Sequence, residues 1–143
     1  MNVVAKKSLG QNFLIDEKIL NLIVGLGNIN SNDIVLEVGP GTGNLTEKIL
    51  KKGPKKIIVV EKDANLSMIL KKKFNKDIIV INDDILNYNQ SYLYKKKIII
   101  FGNLPYNIST QILISWIKIN NLNNFCKKFI LMFQKEVADR ILA

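Results

Sequence analysis

The sequence predicts an α/β protein: a mostly parallel sheet with helices on both faces. Three observations carry that prediction. Short β-branched runs, apolar almost throughout, alternate with amphipathic segments. A glycine-rich turn follows the first run and opens a helix. Acidic or amide residues stand just past the ends of several runs, which is where open parallel sheets bind ligands.

The elements follow in order. Asp16 to Val24 reads as a helix, with Asp16 supplying the N-cap oxygen. Ile34 to Val38 is the first buried strand. Thr42 to Lys52 is a helix carrying Leu45 and Ile49, stopped by Gly53-Pro54 as a C-terminal glycine and a following proline stop helices. Ile57 to Val60 is the second strand, and Asn65 to Phe74 the next helix, with Leu66, Ile69 and Leu70 on its apolar face. Ile78 to Ile81 is the third strand. The polar stretch Asn87 to Lys97 reads as a solvated loop or strand entrance into the fourth strand, Ile98 to Phe101. Ser109 to Ile119, with Leu113, Trp116 and Ile117, is a helix before a fifth strand, Phe129 to Phe133, and a last helix begins near Lys135. The repeated βαβ order implies parallel pairing. The chain reaches Ala143 inside that last helix, leaving the fifth strand as an apolar edge. Residues 1–143 are therefore expected to form an incomplete domain, truncated after the fifth strand.

Composition narrows the function. A chain of 143 residues that is 48% hydrophobic supports one domain with a real core. The formal charge of +9 favours an anionic partner, because lysines gain from releasing counterions off a phosphate backbone. Arg140 is the only arginine, so the charge is nearly all lysine, which attracts phosphate without bidentate geometry. With no histidine, Ser-His-Asp and Cys-His mechanisms and the common zinc sites are excluded, and no metal is expected. The single Cys126, between Phe125 and Phe129, reads as a small buried residue. No run approaches the roughly 18 apolar residues of a membrane span, and the start lacks a signal peptide's apolar region. A reducing, cytoplasmic setting without membrane association fits best.

The candidate ligand site begins at Glu37-Val38-Gly39-Pro40-Gly41-Thr42-Gly43, where glycines permit tight turning and close approach, and helix N-terminal amides attract anionic groups. Its G-x-G-x-G spacing differs from the dinucleotide fingerprint. Glu61 ends the second strand, where an acid accepts from ribose hydroxyls, and Asp84 follows the third, placed to receive an adenine amino group. Each also fits a plain surface acid at a strand end. Past the fourth strand stands Asn103-Leu104-Pro105-Tyr106. Pro105 biases Leu104 toward extended backbone, leaving its carbonyl unclaimed, so Asn103 and that carbonyl offer two acceptors to one exocyclic amine while Tyr106 offers a stacking face. The same four residues also fit a simple strand-to-helix turn.

Six runs, in order, resemble the N-terminal part of the ribosomal RNA small-subunit adenine N6,N6-dimethyltransferase family. They are Lys7-Ser8-Leu9-Gly10-Gln11-Asn12-Phe13-Leu14, Glu37 to Gly43, Glu61-Lys62-Asp63, Asp84-Ile85-Leu86, Gly102-Asn103-Leu104-Pro105-Tyr106-Asn107-Ile108-Ser109 and Gln134-Lys135-Glu136-Val137-Ala138-Asp139-Arg140. Resistance-type 23S rRNA methylases usually carry Ile where Leu104 stands and lack the Lys-Ser-Leu-Gly lead-in, which favours the small-subunit branch. The resemblance implies a Rossmann-like class I fold that uses S-adenosylmethionine to dimethylate two adjacent adenosines near the 3′ end of 16S rRNA. It further implies cofactor contacts from Asn12, Leu14, Gly39, Gly41, Glu61, Asp84 and Asn103, and a catalytic segment Asn103, Leu104, Pro105 and Tyr106. The partner would be rRNA in the assembling small subunit, met by a monomer lacking the family's C-terminal helical domain. Lys6, Lys7 and the Lys71-Lys72-Lys73 run are candidate phosphate contacts, the last also reading as a helix's solvated end. Other readings stand beside this one, among them an inactive truncated fragment of the enzyme. A non-catalytic RNA-binding module in ribosome assembly would bind cofactor without transfer, and a DNA adenine methylase would carry Asp-Pro-Pro-Tyr or Asn-Pro-Pro-Tyr instead.

Overall fold

Five parallel strands in the order β3-β2-β1-β4-β5 form the sheet of the computed structural model, which describes residues 16–87, 97–103, 109–118, 126–133 and 135–143. The strands are β1 (Ile34–Val38), β2 (Lys56–Glu61), β3 (Ile79–Asn82), β4 (Ile98–Asn103) and β5 (Cys126–Met132). The helices are α1 (Glu17–Gly27), α2 (Asn44–Lys51), α3 (Ala64–Phe74), α4 (Ser109–Ile117) and α5 (Lys135–Leu142), with a 3₁₀ turn at Asn75–Asp77. The expected fold class stands. Parallel strands need a crossover between them, and helices supply those from β1 to β2, β2 to β3 and β4 to β5.

Side chains alternate across each strand and give the sheet two apolar faces. Val35, Val59, Ile99 and Phe101 pack under α1, α2 and α3 with Leu20, Ile23, Leu45, Ile49, Leu70 and Phe74. Leu36, Val38, Ile58, Val60, Ile98 and Ile100 line the other face with Trp116 of α4, whose ring stands 5.0 Å from that of Phe129. Complete burial of a side chain such as Phe101 contributes about 2 kcal/mol. Gly27 lets α1 lie directly on β4, since a Cβ there would stand 2.7 Å from Phe101 Cζ.

Local signals behave as their chemistry requires. Asp16 Oδ1 accepts from the amides of Lys18 and Ile19, and Gly53 takes a left-handed φ of 66° past the end of α2. β5 begins at Cys126 rather than Phe129, because Cys126 and Lys128 still pair with Ile98 and Ile99 of β4 across an irregularity in register that passes over Lys127. Lys127 Nζ lies 2.9 Å from Asp33 Oδ1, while Lys128 Nζ donates to the Leu26 carbonyl at 3.0 Å. Cys126 is only half-buried, and desolvation pushes its thiol up to about 11. β3 starts at Ile79, because Ile78 is spent as a core residue ahead of the ladder. β4 runs on through Gly102 and Asn103, both paired with β5, so the sheet itself carries the chain into the Asn103 segment. Of the Asn87 to Lys97 stretch, residues 88–96 lie outside the described residues, as does Ile119. Among the described residues, no helix is long and apolar enough to cross a membrane.

Asp33 anchors the amino-terminal end of the sheet. Its Oδ2 accepts from Asn30 N at 2.8 Å, and its carbonyl accepts from Lys55 N at 2.8 Å. Desolvation would raise its pKa, but the Asn30 amide, Lys127 and Lys128 outweigh burial and hold it below the usual carboxylate value of 3.8. A depressed native pKa gives stability that is present above the unfolded pKa and lost as pH falls through the native one. Asp33→Ala is expected to cost about 2 kcal/mol at neutral pH. In urea unfolding followed by circular dichroism, its deficit relative to wild type should shrink below about pH 4.

Candidate functional site

Because all five strands run the same way, β1, β2, β3 and β4 deliver their carboxyl ends to one edge of the sheet. The chain steps from β1 to β2 and β3 on one side and takes up β4 and β5 on the other, so the topological switch lies between β1 and β4. Val38 pairs with Gly102, and the residues that follow them, Gly39 and Asn103, flank that crevice.

The glycine turn is held by β2. Gly39 N donates to the Val60 carbonyl at 3.0 Å, and Gly41 N donates to Glu61 Oε2 at 3.2 Å. Glu61 Oε1 accepts from Asp63 N at 2.9 Å, so one buried carboxylate joins the loop after β1 to the entry of α3. Burial raises the Glu61 pKa, against the amides of Asp63 and Gly41, which favour the ionised form. Each carboxylate oxygen retains lone-pair capacity beyond these bonds. At Gly41 (φ 60°) and Gly43 (φ 88°) the backbone is left-handed, and a Cβ at Gly43 would stand 2.6 Å from Phe74 Cε2. Lys73 supports the turn from α3 by donating to the Thr42 carbonyl at 3.3 Å, with Glu47 3.6 Å away. That engagement makes Lys73 a brace for the turn; Lys71 and Lys72 remain exposed on α3.

Glu37 lies beneath the turn. It is 1% exposed and accepts from Thr46 Oγ1 at 2.5 Å, tying β1 to α2. Desolvation pushes its pKa up to about 7; the Thr46 hydrogen bond opposes the rise and the charge of Glu61 adds to it. At the end of β3, Asn82 Nδ2 donates to the carbonyls of Glu61 and Lys62 at 2.8 and 3.2 Å. Asp84 Oδ1 accepts from Leu86 N at 3.0 Å and Oδ2 lies 3.2 Å from Lys62 Nζ, leaving the carboxylate partly exposed along the same edge.

The structure thus brings together Gly39, Gly41, Glu61, Asp84 and Asn103. Asn103 is half-buried at the last position of β4, in register with Met132. Asn12, Leu14, Lys6, Lys7, Leu104, Pro105 and Tyr106 lie outside the described residues. Sequence reasoning named Glu37 only as part of a motif and missed Thr46, Asp63 and Asn82 as supports. Asp63 was accessible, since an aspartate three residues before Leu66 is an N-cap signature, and its Oδ1 accepts from Asn65 and Leu66. The Thr46 partnership depends on how α2 lies over β1, which no local pattern encodes.

The donor set suits a nucleoside carrying an amino acid. Glu61 has acceptor capacity for a vicinal diol, the left-handed turn leaves no Cβ to keep a ligand off its backbone, and Asp84 holds a partly exposed carboxylate just past β3.

A family model described as ribosomal RNA adenine dimethylase matches residues 2–143. The chain is 56% identical over its whole length to "Ribosomal RNA small subunit methyltransferase A" of Pelagibacter ubique, covering 54% of that protein. It is 42% identical over 99% of its length to the protein of the same name in Desulforapulum autotrophicum, covering 50% of it. The chain therefore spans about half the length of these curated relatives. A crystal structure of a dimethyladenosine transferase from Plasmodium falciparum superposes with a TM-score of 0.77 at 34% identity, over 92% of this chain and 46% of that one. The 23S rRNA methyltransferase ErmE superposes with a TM-score of 0.74 at 25% identity, over 89% of this chain and 50% of that one.

The Glu37 environment has a measurable consequence. Between about pH 4.5 and about 7 the folded protein holds a proton that the unfolded chain has released, so stability falls as pH rises through that window and levels above it. Glu37→Gln removes this titration. Thermal unfolding across the window should show wild type losing stability relative to the variant as pH rises, whereas parallel curves would contradict the assigned environment.

Proposed function

The chain belongs to the ribosomal RNA adenine dimethylase family, and from that premise we propose that it takes part in methyl transfer from S-adenosylmethionine to N6 of two adjacent adenosines near the 3′ end of 16S rRNA. The observation that carries this reading is the meeting, at one sheet edge, of a Glu61-held glycine turn and Asn103 across the β1/β4 switch. A cofactor site and a base-holding amide then share one crevice.

Glu61 holds the cofactor's ribose hydroxyls, Gly39 and Gly41 give its amino-acid portion room beside the backbone, and Asp84 receives its adenine amine. Asn12 and Leu14 are assigned further contacts to the cofactor. When bound, S-adenosylmethionine supplies a methyl group activated by the sulfonium charge, with a neutral leaving group. The task left to the protein is the nucleophile, because the N6 lone pair is delocalised into the adenine ring. The Asn103 side-chain oxygen and the Leu104 carbonyl accept the two N6 hydrogens and orient the lone pair at the methyl. A proline at position 105 disfavours helical backbone at the residue before it, which would leave the Leu104 carbonyl available, and Tyr106 would stack on the base and favour charge developing on nitrogen. Once methylated, N6 would be cationic and acidic enough to release one proton to solvent water, so this assignment requires no strong general base, in keeping with a chain that has no histidine. Lys6 and Lys7 hold phosphates of an RNA whose target bases are already unstacked, where extrusion costs little. The working form is a cytoplasmic monomer acting within the assembling small subunit.

Two substitutions test the reading. Asn103→Ala should lower labelled-methyl transfer to unmethylated small subunits by at least about 100-fold while leaving S-adenosylhomocysteine affinity within about tenfold. Full retained turnover would remove Asn103 from the chemistry. In the same assay Glu61→Ala should act through binding, weakening S-adenosylhomocysteine by about 100-fold in calorimetric titration.

A further inference from the structure

We propose that the amino-terminal end of the sheet, opposite the cofactor edge, is a second docking surface for the phosphate backbone of folded RNA. The inference rests on the reading of the chain as an RNA-directed protein and extends it to a surface remote from the methylated base. The two ends of the sheet differ in charge. At the carboxyl edge stand Glu61, Asp63, Asp83 and Asp84, with Lys62 beside Asp84. At the other end, Lys52 follows α2, Lys55 and Lys56 enter β2, and Lys97 enters β4, all four exposed.

Register puts Lys55, Lys56 and Lys97 on one level. Ile34 pairs with both Lys56 and Ile98, and Lys55 N donates to the Asp33 carbonyl at the start of β1. The carboxylate of Asp33 at that end is buried and taken by Lys127; Asp77, ahead of β3, is the exposed acid nearby. Among the described residues none of the four lysines is in an ion pair. Lysine richness alone would scatter cations over both ends. Here separate chain segments converge on one end, and their shared level gives a polyanion several contacts at once. Phosphate backbone is the fitting partner, because lysines without arginine supply point charges and no bidentate base readout.

The test compares two variants of equal charge change, Lys55→Gln/Lys56→Gln at this end and Lys18→Gln/Lys135→Gln elsewhere. Binding to unmethylated small subunits is measured over a salt series, with S-adenosylhomocysteine affinity and thermal unfolding as controls for folding. The first variant should weaken subunit binding about tenfold near physiological salt and flatten log Kd against log salt by about 1.5, with cofactor affinity unchanged. The second should stay near wild type. Equal behaviour of the two overturns the surface, as does tighter binding to phosphatidylglycerol vesicles than to subunits. Subunit binding that depends on Lys55 and Lys56 in a wild-type protein showing no methyl transfer supports the surface while removing the proposed reaction.

Discussion

Everything at the carboxyl edge depends on how the Glu61 carboxylate divides its two oxygens. One accepts from Gly41, the other from Asp63, so a single buried side chain fixes the turn after β1 and the start of α3 together. Burying an acid disfavours its charge, and only directed N–H donors make the position tolerable. The edge therefore stores an arrangement of donors and acceptors before any ligand arrives, and a bound nucleoside need not organise it. Glu37 supports the same arrangement from below, through Thr46, without reaching the surface.

Much of this was legible in the sequence because the signals are local. Unbroken β-branched runs mark strands buried on both faces, and β1 is where its run places it. Asp16 and Gly53 declare helix ends through side-chain chemistry and φ. Even three separate strand-end residues, Gly39, Glu61 and Asp84, could be gathered into one site, since parallel topology permits only one carboxyl edge. The start of β5 was hidden for the opposite reason. Lys127 and Lys128 look like loop residues until their partners, Asp33 and the carbonyls of Leu26 and Gly27, are seen across the fold. Thr46 and Asn82 escaped notice likewise, and Lys73 read as a phosphate contact or a solvated helix end instead of a brace for the turn, because each acts through a partner distant in sequence or set by helix placement.

The division of charge between the ends of the sheet follows from the same scaffold. Strand entrances and helix exits gather at one end, where cations also complement helix C-termini. Strand exits gather at the other, where Glu61, Asp63, Asp83 and Asp84 stand. Sequence alone reports a net charge of +9 and a preference for anions. Register turns that sum into a direction, with exposed lysines gathered at one end of the sheet and acids at the other. The curated relatives that the chain matches are about twice its length.

The central claim is that four strand ends form one nucleoside site. Titration of the isotope-labelled protein with S-adenosylhomocysteine, followed by amide chemical shifts, tests it most directly. The account predicts shifts concentrated at Gly39, Gly41, Gly43, Glu61, Asp63, Asp84 and Asn103, with Lys55, Lys56 and Lys97 unmoved. Shifts confined to one strand end, or centred on the basic end of the sheet, would contradict it.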